Sequence, residues 1–267
     1  NLRKNSSTEA KSVKKLFKKH GLSLTIIKNK KKILKNIQSE ARDVRYNLLR
    51  SFCKKKKIGI ILTAHNLEDQ VETFFMRLSR GSGLKGLSSM RMLSKITRQV
   101  RLFRPLLETK KKLLIKISKS IFGTYLKDPS NNNHKFFRAK VRNLKRPLER
   151  SGIKYDQIFR SIKNLSISKD TLDQYFSKTF KELIIKKKKE IFINYKKYSK
   201  LNKDTKIALI NAAIKQLKNN YYDLRSKKVE NLIKNLSNKN FRKLTLGGCI
   251  FFKKEENLCL KPENPKI

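Results

Sequence analysis

Ile58-Gly59-Ile60-Ile61-Leu62-Thr63 runs without a break into Ala64-His65-Asn66-Leu67-Glu68-Asp69-Gln70-Val71-Glu72-Thr73. The first six residues form an apolar run of strand length, the pattern of a strand buried on both faces. The next ten turn from the strand end into a helix that carries Val71, Phe74, Phe75 and Leu78 inward. Ligands of open parallel sheets bind outside the carboxyl ends of strands, so this junction is a candidate site. Once helical, His65, Asp69 and Glu72 share one face. Carboxylates three apart on a helix can hold one hard cation, with phosphate oxygens as its other ligands. A helix N-terminus also favours anions. Equally, Glu68, Asp69 and Glu72 can simply complement the helix dipole, and a lone histidine is commonly structural. Spacing alone leaves both readings open.

Outward from this junction the same alternation continues. Upstream, residues 9–20 have a helical pattern with Ser7 or Thr8 at the start and Gly21 at the end, and residues 22–27 a strand pattern. Residues 28–35 form a basic loop, and residues 37–55 a long helix with Ala41, Val44, Leu48 and Phe52 in register. Downstream, residues 100–103 fit a further strand before Arg104-Pro105. The order predicts an α/β domain with a mainly parallel sheet. After the junction helix comes Arg80-Gly81-Ser82-Gly83. It is either a flexible, donor-rich loop with Arg80 in reach of a phosphate, or a plain glycine cap with solvent-facing arginines. From residue 151 onward the pattern is amphipathic helices with Lys-rich outer faces, such as residues 186–189, and a small β unit near residues 244–252 and 259–261. A boundary near Ser151-Gly152 divides the chain into residues 1–150 and a basic, helical 151–267.

At 267 residues the chain has room for one large or two ordinary domains. Hydrophobic residues make up 38%, enough for a packed core, which excludes global disorder. Lys and Arg number 68 against 20 acids, a net charge of +48, which points to a polyanionic partner. Lys, Asn and Ile are all abundant, the bias an AT-rich genome imposes, so charge alone does not establish RNA binding. No apolar run of about 18 residues predicts a membrane span. Cys53, Cys249 and Cys259 are scattered and odd in number, which argues for a reducing cytosol over a disulfide framework. The first residue is Asn1, so the natural N-terminus is expected upstream.

Residues 63–87, TAHNLEDQVETFFMRLSRGSGLKGL, closely resemble the second signature of the tRNA(Ile)-lysidine synthases, a branch of the PP-loop ATP pyrophosphatases (adenine nucleotide alpha hydrolase-like). Further blocks agree in order. Asn36, Gln38, Ala41, Arg42, Arg45 and Tyr46 resemble the family's helix before the buried strand. Arg104-Pro105-Leu106-Leu107 resembles its RPLL element. Asp128-Pro129-Ser130-Asn131, with Phe137-Arg138 and Arg142, resembles its DPSN segment. Asn1-Leu2-Arg3 resembles the residues directly after a family Asp-His pair, and Thr245-Leu246-Gly247-Gly248-Cys249 is similar to the C-terminal domain of some members.

The resemblance implies a cytoplasmic ligase that uses ATP and Mg2+. ATP adenylates the wobble cytidine of an isoleucine tRNA with a CAU anticodon, and L-lysine then displaces AMP to form lysidine. It implies catalytic roles for His65, Asp69, Glu72 and Arg80, with Asp69 and Glu72 on the metal and Gly81, Ser82 and Gly83 near the nucleotide. Arg42, Arg45, Asp128, Asn131, Arg138 and Arg142 would serve the tRNA or substrate. A homodimer is compatible with it, and a membrane is not. The rival expectations are a tRNA thiolase and a non-catalytic tRNA-binding relative. The sequence departs from the family in four places, one of them Glu68 where Asp is usual, a change that keeps the charge. The SGGxDS loop is absent and expected upstream of Asn1, so the chain as given is expected to be inactive. Asn66 stands where a second His is usual, and Ala139 where Asn is usual.

Overall fold

The computed structural model describes residues 6–29, 33, 37–97, 99–126, 137–187, 189–218, 224, 226–238 and 240–263. The chain divides into two compact units, Asn1–Ser166 and Ile167–Ile267.

The first unit opens with helices α1 (Ser6–Lys19) and α2 (Ile37–Lys55). Gly21, at φ 70°, ends α1 in the left-handed conformation that glycine tolerates best. Residues 22–27, expected as a strand, are not one: they have no ladder partner among the described residues, and Leu22 is 48% exposed. Strand β1 (Ile60–Leu62), helices α3 (Leu67–Leu78) and α4 (Leu84–Leu87), and strands β2 (Leu93–Lys95) and β3 (Arg101–Phe103) come next. The sheet order is β1-β3-β2, with β1 parallel to β3 and β2 antiparallel to it. The expected mainly parallel sheet is therefore a mixed one among the described residues. The expected burial of β1 on both faces also fails: Ile61 is buried, while Ile60 and Leu62 are 39% and 62% exposed. Cys53 of α2 and the partly buried Tyr46 and Leu49 pack with Ile61, Val100 and Leu102, so helix cover reaches one face and the burial has period two.

Helices α5 (Lys111–Phe122), α6 (Phe137–Asn143), α7 (Lys145–Arg150) and α8 (Tyr155–Leu183) complete the order up to the second unit. The unit boundary falls inside α8, later than the predicted Ser151-Gly152. The reason is apolar packing: Tyr155, Ile158, Phe159 and Ile162 on the first turns of α8 are buried with Leu67 and Val71 of α3.

The second unit contains β4 (Ile184–Lys187), β5 (Glu190–Asn194), α9 (Tyr195–Ser199), α10 (Lys203–Leu217), α11 (Ser226–Leu236), β6 (Lys243–Leu246), β7 (Cys249–Lys254) and β8 (Asn257–Pro262). Its sheet, β4-β5-β8-β7-β6, is antiparallel throughout. Lys186 and Lys187, expected on a helix face, lie on a strand instead, because Ile191 and Ile193 alternate in a period of two and draw β4 into the ladder. Ile191, Ile193, Phe251, Leu258 and Leu260 are fully buried in one core with Leu209, Ile210 and Ile214 of α10 and Val229 and Leu232 of α11. Each such side chain contributes roughly 1.5–3 kcal/mol. Gly247 and Gly248, at φ 62° and 69°, make the two-residue turn between β6 and β7. All three cysteines are free and buried. Among the described residues, no helix is long and apolar enough to cross a membrane.

Candidate active site

The start of α3 is built by a reciprocal cap. The Asn66 side chain accepts from the Asp69 amide at 3.0 Å, and the Asn66 amide donates to Asp69 Oδ2 at 3.1 Å. The family departure at position 66 thus has a local reason: asparagine is among the best N-caps.

The remaining oxygens of Asp69 and Glu72 face α6. Arg138 donates from Nη2 to Asp69 Oδ1 at 2.8 Å and from Nε to Glu72 Oε2 at 2.6 Å. Arg142 Nε donates to Glu72 Oε1 at 2.6 Å. The Glu72 side chain is 5% exposed, so this is a nearly buried carboxylate between two guanidinium groups. Of the predicted residues, Asp69, Glu72, Arg138 and Arg142 therefore gather at one place. Its chemistry differs from the expected cation site. Each oxygen of Asp69 and Glu72 already accepts from an N–H, and no His, Cys, Asp or Glu cluster suited to a metal occurs among the described residues. As arranged, the pair does not fit Mg2+, because the arginines occupy the positions a hard cation needs.

Glu68 has other partners. Its Oε2 accepts from the Lys111 amide at 2.8 Å and so caps α5, while Lys145 Nζ lies 3.7 Å from Oε1. Glu68, Glu72, Lys111, Lys112, Ile115, Arg142, Lys145 and Tyr155 line a cleft of about 350 Å³ that carries both signs of charge. Burial, with Glu72 nearby, pushes the Tyr155 phenol up to about 12, so it stays a neutral donor. His65 sits beside Thr63, Nδ1 to Oγ1 at 2.9 Å. Burial lowers its pKa, and Arg104, Arg42 and Arg138 lower it further against the pull of Asp69. The imidazole is neutral at pH 7.

Other predicted residues are placed differently. Arg80 is exposed on the turn after α3, and the acidic face meets Arg138 and Arg142 instead. The Gly81 and Ser82 amides donate back to Leu78 and Arg77 carbonyls, so they close α3 and present no donors to a nucleotide. Gly83 is the N-cap of α4. Arg42 lies over the Tyr46 ring at 4.9 Å, and Arg45 is exposed on the same helix. Asp128 and Asn131 lie outside the described residues.

Buried or half-buried polar residues to which the sequence assigned no role at the site hold the segment around and after α4. Gln70 both donates to Met90 O and accepts from Met90 N, each at 2.9 Å. Arg77 Nη1 donates to Gly86 O at 2.6 Å and Ser89 O at 2.8 Å, and Arg104 Nη1 donates to Arg91 O and Ser94 Oγ. One signal was present: Gln70 interrupts the apolar face of α3, where a polar residue needs a partner.

A family profile described as a PP-loop domain matches residues 1–148. A tRNA(Ile)-lysidine synthase of Wolbachia pipientis wMel is 30% identical over 100% of this chain and 62% of its own length. One from Orientia tsutsugamushi is 39% identical over 54% of this chain and 32% of its own length, and one from Rickettsia felis 29% identical over 85% and 53%. The chain thus spans under two thirds of the curated relatives' length. Among solved structures, a tRNA thiolase from Methanococcus maripaludis with its iron–sulfur cluster matches at TM-score 0.47 and 20% identity, over 61% of this chain and 56% of that chain. A likeness of that size carries no argument about chemistry.

Proposed function

The chain belongs to the PP-loop domain family, and from that premise we propose that the protein uses ATP to join L-lysine to the 2-position of the wobble cytidine in an isoleucine tRNA with a CAU anticodon. ATP adenylates the 2-carbonyl oxygen and releases diphosphate. The amine of lysine then attacks carbon 2, loses a proton and expels AMP.

The observation that carries this proposal is convergence. Segments far apart in sequence meet at one mixed-charge cleft: the α3 block, the residues after Arg104-Pro105, and Arg142, with Arg138 bonded to the same Glu72. A free amino acid is zwitterionic, and the cleft has both complements. The loose Glu68–Lys145 pair at 3.7 Å is one that a substrate ammonium can displace. Lys111 and Lys112 suit its carboxylate. Glu72 acts through the arginines it holds. Neutral His65 is a hydrogen-bonding group for the base or a phosphate, and exposed Arg80 adds positive charge for the triphosphate. The lysines of the second unit would hold tRNA phosphates, contacts that position and do not specify.

The test is transfer of labelled lysine to an isoleucine tRNA transcript by the product of the complete coding sequence. Transfer that requires both ATP and the CAU anticodon is expected. Its absence, with a working lysidine synthase as control, refutes the proposal.

A further inference from the structure

Strand register separates the two faces of the second unit's sheet. Ile191, Ile193, Leu258, Leu260 and Phe251 face the helical core. The residues between them face away. One row on this outer face runs Ile185, Phe192, Cys259, Phe252, Lys243, each paired across the ladder with the next. Beside it, Lys187 pairs with Glu190 and Ile250 with Lys261. Ile185 is 61% exposed, Phe192 and Phe252 are half-buried, Cys259 between them is fully buried, and none of the four belongs to the core beneath the sheet.

Two partly exposed phenylalanines in one row on the outer face are unusual for a surface with no partner. They stand on β5 and β7 with β8 between them, two strand spacings or about 10 Å apart. Lysine charge surrounds them. Lys187 Nζ lies 5.8 Å from the Phe192 ring centre, and Lys261 Nζ 5.6 Å from that of Phe252. Lys243 and Lys254 are exposed on the same face, and Glu190 is the acid in these rows.

We propose that this face is a docking platform for single-stranded RNA. Phe192 and Phe252 stack unpaired bases, and the surrounding lysines take the neighbouring phosphates. Aromatic rings mounted on a sheet stack any base, because every base has a π-face, and cations beside the rings match the backbone between stacked bases. A duplex presents base faces only at its two ends and is held mainly by lysine. The proposal deepens the tRNA reading by assigning this face to an unpaired segment of the RNA, and it does not depend on lysine transfer.

Fluorescence anisotropy of the full chain tests it, with a labelled oligouridylate strand and a blunt RNA duplex of equal length. Phe192→Leu and Phe252→Leu keep the apolar volume and remove the π-face. Each is expected to weaken single-strand binding by roughly 5- to 100-fold, with duplex binding nearly unchanged. Phe192→Tyr and Phe252→Tyr are expected to retain it. Lys187→Gln and Lys261→Gln are expected to lower the log–log salt slope for the single strand by about 0.7 each. These two decide the matter should a Leu variant melt early. Leucine variants that bind the single strand like wild type, equal losses for strand and duplex in a folded variant, or unchanged salt slopes in the lysine variants overturn the proposal. So does a wild-type chain that binds neither RNA. Lysine transfer and stacking are scored separately, so either can fail while the other stands.

Discussion

Replacing Glu72 with Gln separates two accounts of the α3 acids. A helix-dipole role contributes about 0.3–1 kcal/mol and fades beyond the first turn, so Glu72 would hardly matter to stability. The clamp predicts more. Glu72 accepts two charge-assisted bonds of 2.6 Å, and its side chain is 5% exposed. Removing one partner from a buried pair costs about 3–5 kcal/mol. Arg138 and Arg142 are 31% and 30% exposed and regain some water, which reduces the expected loss to about 2–3 kcal/mol. That corresponds to a melting point lower by about 4–12 °C for a unit of this size. Circular-dichroism melts of wild type, Glu72→Gln, Arg142→Gln and the double variant measure it. The cycle should return a coupling above about 1 kcal/mol. A Glu72→Gln melt within about 2 °C of wild type, with coupling below about 0.5 kcal/mol, would refute the clamp and restore the dipole account.

Asn66→Ala should cost about 1 kcal/mol by chemical denaturation while Asn66→Ser stays near wild type; equal losses in both would show that the cap is not what the side chain supplies. His65 gives a pH signature. Its pKa is held below the ordinary 6.5, first by burial, so the unfolded chain binds the proton more readily. Its contribution to stability is therefore complete above about pH 6.5 and is lost as pH falls from there through the folded value. Melting points of wild type and His65→Gln should converge as pH falls below about 6.5; a pH-independent difference would count against this.

Much of the first unit was legible because its cues are local. The apolar run before Thr63, the acids just after it and Gly21 and Gly81 at helix ends act through neighbours a few residues away. Helix α2 has the predicted bounds for that reason, as does β3 to within a residue. Residues 22–27 failed because strand residues need a ladder partner, and alternation does not supply one. In the second unit the terminal β unit falls near its predicted place, in β6, β7 and β8, while residues 186 and 187 were misjudged because a lysine-rich segment suits an exposed strand as well as a helix face. Ile191 and Ile193 settled the matter through long-range pairing with Leu260 and Leu258.

The sequence alone determined the family, the strand-to-helix junction and the residue types at the site, since these rest on order and short-range spacing. It could not decide what the carboxylates do. The cation expected between Asp69 and Glu72 needs open oxygens, and whether they are open depends on residues 66–70 positions away. Only the tertiary structure brings Arg138 and Arg142 across to them. It alone lets Glu68 cap a helix that begins at Lys111, and it alone sets Phe192 and Phe252 in one row. Charge pairing in a low-dielectric cleft and strand register are both set by distance in space, which residue spacing along the chain does not encode.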